Sequence, residues 1–100
     1  AMPWEWLCVD LIGPYTIKRE QKEMLTLWCV TMIDPATGWF KMKEIKNKEA
    51  ITVANVVEQT WLTRYPKPDI LVYDKGSEFM GKFTQMIVND YDVKCKGISK

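Results

Sequence analysis

Two acids sit where acids are costly to place. Asp10 interrupts the apolar run Trp6-Leu7-Cys8-Val9-Asp10-Leu11-Ile12, and Asp74 closes the run Ile70-Leu71-Val72-Tyr73. A carboxylate in an apolar setting is strongly disfavoured unless something compensates its charge. Two strand-like segments that each carry one point to a shared compensator, and a divalent cation is the natural candidate. Mg²⁺ prefers oxygen ligands, commonly one or two carboxylates together with substrate phosphate. Gly76, just past Asp74, lets the backbone turn sharply and leaves room for a phosphate to approach. The pair therefore reads as half of a metal-dependent phosphoryl-transfer site. In such sites two metals about 4 Å apart activate an attacking oxygen and stabilise the leaving one. No covalent protein nucleophile is needed, which suits a chain with no histidine at all. The missing histidine also excludes a His general base and His-ligated zinc.

The elements that must position these acids are compatible with one small domain spanning residues 1–100, or with part of a larger one. The 47% apolar content is that of a globular chain. Net charge is only +1, so no global basic field announces nucleic acid. Lysines cluster locally at Lys41, Lys43, Lys46 and Lys48, and again at Lys94, Lys96 and Lys100, and a solvated strand face accounts for such runs. Cys8, Cys29 and Cys95 are odd in number and form no CxxC pair, as expected of small apolar residues in a reducing compartment. The longest apolar runs are strand-length, so neither a membrane span nor a signal peptide is expected. A nuclear or cytoplasmic setting follows.

Punctuation along the chain divides it into seven elements. A first strand is expected over Glu5 to Ile12, stopped by Gly13-Pro14. Lys18 to Glu23 is a charged hairpin tip, and a second strand runs from Leu25 to Ile33. Asp34-Pro35-Ala36-Thr37-Gly38 has turn chemistry, with Asp34 as the capping acid, Pro35 fixing φ and Gly38 supplying a positive φ. A third strand covers Trp39 to Ile45, with Trp39 packed as a strand aromatic. A helix begins at Asn47 as N-cap, with Glu49 in its first turn and a stripe of Ala50, Ala54, Val57, Trp61 and Tyr65. Pro66 and Pro68 end it. Asp69 to Tyr73 is a short, almost wholly apolar strand with Asp74 in the turn after it. Phe83, Met86, Ile87 and Asp90 mark a second helix, and Val93 to Ile98 a fifth strand. The order β-β-β-α-β-α-β predicts an α/β fold with a mixed five-stranded sheet and flanking helices. The five tryptophans are expected in the core and at interfaces; for Trp61, core packing and a role in dimerisation both stay open.

Several motifs carry a resemblance. Trp4-Glu5, Val9-Asp10-Leu11-Ile12-Gly13-Pro14-Tyr15, Thr31 to Phe40 and Asp74-Lys75-Gly76-Ser77-Glu78-Phe79 resemble, in this order, the catalytic core of retroviral and long-terminal-repeat retrotransposon integrases, with the Ty3/gypsy-type elements the nearest likeness. The resemblance implies a ribonuclease H-like fold and a DDE polynucleotidyl transferase that joins element DNA 3′ ends to target DNA with Mg²⁺ or Mn²⁺. It makes Asp10 and Asp74 the first two catalytic, metal-binding acids and puts Ser77 near target DNA. Lys75 and Glu78 are further candidates for DNA contact, a solvated surface being the plain alternative for both. DNA and a second copy of the chain, as homodimer or higher oligomer, are the implied partners.

One departure is large. The family's third acid, a glutamate, has its expected place beyond Lys100, and Glu78 is too close to Asp74 in sequence to stand in for it. The C-terminal helices of the core and the zinc-binding domain that usually precedes it are also missing. The expectation is an integrase core truncated before its third acid and inactive by itself. The alternatives are a non-catalytic, decayed or domesticated module for dimerisation or DNA binding, and a ribonuclease H-type nuclease with the same metal chemistry.

Overall fold

In the computed structural model, which describes residues 2–20, 23–74 and 78–98, strand alternation sorts the chain into two faces. The strands are β1 (Trp6–Lys18), β2 (Met24–Ile33), β3 (Phe40–Ile45), β4 (Ile70–Asp74) and β5 (Lys94–Ile98). Between them lie α1 (Ala50–Val57), which runs into a π-helical turn at Glu58–Leu62, and α2 (Glu78–Tyr91). The sheet order is β3-β2-β1-β4-β5. The meander β1-β2-β3 is antiparallel, whereas β4 and β5 add in parallel through the helical crossovers. This is the mixed five-stranded α/β sheet expected from the order of elements.

One face of the sheet holds the core. Leu7, Val9, Val30, Met32, Ile45 and Leu71 pack beneath Val53, Val57 and Trp61 of the first helical segment and Phe83 and Ile87 of α2. Residues two apart point to the same side of a strand, so one stripe per strand suffices to face both helices. Trp61, at 1% exposure, is a core residue and not a surface for a partner. The widened turn at Glu58–Leu62 extends α1 far enough to bring both Trp61 and Leu62 inside.

The opposite face is open among the described residues. Ile12, Ile33, Phe40, Met42 and Ile98 are each between 39% and 57% exposed. Register places them on neighbouring rows of that face: Cys8 pairs with Ile33, Ile33 with Phe40, and Thr31 with Met42.

Several boundaries differ from expectation, each for a local reason. β1 does not stop at Gly13-Pro14 but runs on to Lys18, because a register shift between Ile12 and Tyr15 takes up the proline that cannot donate to the ladder. Gly13, at φ 130°, is required there, since a Cβ would sit 3.0 Å from the Leu27 carbonyl oxygen. The N-cap of α1 is Glu49, not Asn47. Asn47 instead accepts from the Glu49 amide (3.1 Å) and the Thr52 hydroxyl (2.7 Å), which ties down the approach to the helix. Trp39 lies outside β3 and is 49% exposed, the pleat having turned it beside the helix layer. Asp74 is the last residue of β4, not the first of a turn.

The β2–β3 turn follows its sequence closely. Asp34 accepts from Ala36 N–H (3.1 Å) and Thr37 Oγ1–H (2.9 Å), and Gly38, at φ 79°, donates to the Asp34 carbonyl (2.8 Å).

Candidate functional site

Parallel pairing between β1 and β4 determines where the two acids stand. Trp6 pairs with Ile70, Leu7 with Leu71 and Cys8 with Val72. Continuing that register along both strands sets Asp10 beside Asp74. Leu7, Val9 and Leu71 face the core, so alternation turns both acids to the open face. Neighbouring strands lie about 4.8 Å apart, a separation that two carboxylates on one face can bridge through shared cations.

The row that holds the acids crosses the whole sheet. Asp74 pairs with Ile98 on β5, and Asp10 pairs with Thr31, which pairs with Met42. Both acids are half-buried and flanked by apolar side chains. Asp10 Oδ1 accepts from the Leu11 amide at 2.9 Å, and the Asp10 carbonyl accepts from the Thr31 hydroxyl at 3.5 Å. These contacts fix the local backbone and rotamer of Asp10.

The remaining sequence candidates are placed less completely. Lys75 and Ser77 lie outside the described residues. Glu78 begins α2, but its side chain lies outside the described portion. Among the described residues no group of three Cys, Asp or Glu side chains is placed to hold an ion. Two carboxylates on one face nevertheless fit the donor chemistry of Mg²⁺, which keeps several waters and takes one or two carboxylates along with phosphate oxygens.

The three cysteines are free thiols, Cys29 buried and Cys8 and Cys95 half-buried. Burial raises the pKa of Cys8, with the nearby Asp34 charge adding to the effect. At neutral pH the thiol beside the acid pair is therefore protonated and inert. No helix of the described chain is long and apolar enough to cross a membrane.

Sequence reasoning missed one cluster. Trp4 stacks on Tyr65 (5.2 Å, planes 12° apart), Trp61 packs on Tyr65 at 4.9 Å, and Trp39 meets Tyr65 edge-on at 6.3 Å. Lys41 Nζ lies 5.6 Å from the Trp39 ring centroid. The even spacing of Trp39, Lys41 and Lys43 along a strand was the signal that could have found it, since it puts all three on one side.

The fold is the ribonuclease H-like fold of retroviral integrase catalytic cores. The HTLV-2 integrase catalytic core domain in complex with magnesium superposes with a TM-score of 0.73 in its trimeric form, at 15% identity, over 97% of this chain and 61% of that one. Its dimeric form gives the same score and identity over 97% and 62%. A chain of the simian T-cell lymphotropic virus intasome in complex with PP2A regulatory subunit B56 gamma gives 0.74 at 11% identity, over 98% of this chain and 35% of that one. This chain thus spans about three fifths of the HTLV-2 core. No protein-family model and no curated protein sequence matches it.

Proposed function

We propose that residues 1–100 are the leading part of an integrase-like catalytic core, of the Ty3/gypsy type, that joins element DNA 3′ ends to target DNA. What supports this reading is that, on a fold shared with integrase cores, the Cys8–Val72 register continued two residues along both strands brings Asp10 beside Asp74 on an open sheet face. Asp10 and Asp74 would hold Mg²⁺ or Mn²⁺, and such an ion supplies charge neutralisation at a phosphoryl group. The sheet contributes rigidity: the two acids ride on adjacent paired strands, so their separation is set before any ligand arrives. Flanking apolar residues lower the local dielectric and strengthen the attraction of the carboxylates for a cation.

Strand transfer in this reading needs a third acid from outside these residues, and the chain by itself is inactive. Neighbouring structures that contain magnesium and an intasome support a divalent ion, DNA and self-association as partners. Lys75, Ser77 and Glu78 follow Asp74 directly and are the proposed contacts to DNA beside the site.

The test has two parts. Titration of the 100-residue chain with Mn²⁺ is expected to show binding that Asp10→Asn and Asp74→Asn each abolish without unfolding. The source reading frame beyond Lys100 is expected to encode a glutamate opening an amphipathic helix, and the extended chain to join DNA ends in Mg²⁺. Unchanged Mn²⁺ binding in both variants sinks the site assignment.

A second reading, a non-catalytic dimerisation or DNA-binding module, is favoured by one observation: Ile12, Ile33, Phe40 and Met42 leave apolar side chains exposed on one sheet face. An extended frame without the glutamate, together with no Mn²⁺ binding by the wild-type chain, selects it.

A further inference from the structure

Alternation along β3 separates its charges. Phe40, Met42 and Glu44 share the open face, where Glu44 accepts from the Tyr15 hydroxyl, while Lys41 and Lys43 lie with buried Ile45 on the helix side. β3 is an edge strand, so this helix-side stripe meets solvent along one flank. Lys41 and Lys43, two residues apart on one strand, stand about 6.7 Å from each other along it. No acid shares that side of β3, because the strand's one acid is the Glu44 of the opposite face.

Aromatic and cationic groups converge at the start of this stripe. Trp39 is 49% exposed, and Lys41 Nζ lies 5.6 Å from its ring centroid. Tyr65 takes the Trp39 edge at 6.3 Å. Its phenol is held below the ordinary range by a hydrogen bond from Trp39 and by Lys41 and Arg64, against the opposing effect of burial. Tyr65 is wedged between Trp4 and Trp61, so an anion would meet a preformed aromatic surface beside Lys41.

We propose that this β3 surface, Trp39, Lys41, Lys43, Arg64 and Tyr65, binds the phosphate backbone of DNA. Regularly spaced cations on a rigid strand match a repeating polyanion, and an exposed indole beside them offers a stacking face for a sugar or base. The choice of DNA over another polyanion rests on the reading of the chain as an integrase-like core. The stripe lies on the opposite side of the sheet from Asp10 and Asp74, so it would hold DNA without occupying the acid pair.

The test is fluorescence anisotropy of a short fluorescein-labelled duplex with the whole chain, in EDTA so that no divalent ion contributes. The Lys41→Gln/Lys43→Gln double variant is expected to weaken binding at least several-fold. The slope of log K against log salt should fall by about 1.8, at about 0.9 for each of two phosphates no longer neutralised. Trp39→Ala is expected to weaken binding with the slope unchanged, while Lys82→Gln on α2 leaves both alone. Circular dichroism confirms that each variant is folded. Equal affinity and slope in the double variant overturn the proposal. So does displacement of the duplex by poly-glutamate as readily as by unlabelled DNA, the occupant then being an acidic polypeptide. Asp10→Asn and Asp74→Asn should retain this binding. Loss of Mn²⁺ binding to the acid pair and loss of DNA binding to the β3 stripe are separate failures, each visible alone.

Discussion

The backbone amide of Trp4 donates to Asp34 Oδ2 over 3.1 Å, tying the segment before β1 to the turn between β2 and β3. Asp34 is fully buried, yet its carboxylate accepts from Trp4, Ala36 and Thr37. Trp4 adopts φ 66°, a conformation an aromatic residue holds only when its surroundings enforce it. The Asp34 bond and the stack on Tyr65 supply that enforcement.

Asp34→Ala is expected to destabilise the fold by about 2–3 kcal/mol, since it leaves buried donors unpaired. Burial acts to raise the Asp34 pKa, but the hydrogen bonds from Trp4, Thr37 and Ala36 outweigh it and hold the group below its ordinary 3.8. A depressed folded-state value contributes stability that is present above 3.8 and lost as pH falls through the folded value. Urea unfolding of wild type against Asp34→Asn should show the gap between them narrowing below that pH. A gap that stays constant into acid counts against the assignment.

Trp61→Ala should cost about 3–5 kcal/mol, a large fraction of the stability of a domain this size. Thermal unfolding reads it directly. A loss under about 1 kcal/mol would mean that the π-helical turn does not seat Trp61 in the core.

The open face predicts association. Ile12, Phe40 and Met42 are exposed on the same side of the sheet. Sedimentation at rising concentration should show self-association and an apolar dye should bind, and Phe40→Lys with Met42→Lys should suppress both. Monomeric behaviour of the wild-type chain at high concentration, without dye binding, contradicts this.

The Tyr15 phenol is pushed up to about 12 by its hydrogen bond to Glu44 and, secondarily, by burial. A raised folded-state value gives stability that is complete below the ordinary 10 and lost as pH rises through about 12. Phenolate absorbance should therefore show Tyr15 among the last tyrosines to ionise and Tyr65 among the first. Tyr15→Phe should remove the late phase, and an unchanged late phase rules the hydrogen bond out.

Much of the architecture was legible in the residues. Short apolar runs bounded by Gly, Pro and charged segments marked the strands, and the Ala54-Val57-Trp61 spacing marked the helix stripe. The Asp34 to Gly38 turn was readable because each residue has its own backbone preference. The continuation of β1 through Gly13-Pro14 was not readable, because whether a proline ends a strand depends on which partner positions need its missing N–H. Trp39 was misjudged for a related reason: composition shows that an aromatic suits a strand, not which side of the sheet is covered.

By itself the sequence determined that two acids sit in apolar strands, that Asp34 caps a turn, and that β and α segments alternate in a fixed order. These are local properties, set by side-chain chemistry and backbone preference over a few residues. Only the tertiary structure decided that β4 pairs in parallel with β1 in the register that aligns Asp10 with Asp74. It also decided that both helices cover one face, and that Trp39 and Lys41 converge on Tyr65. Those relations join residues far apart in the chain. They follow from how whole strands and helices bury their apolar stripes together, which no short window of sequence contains.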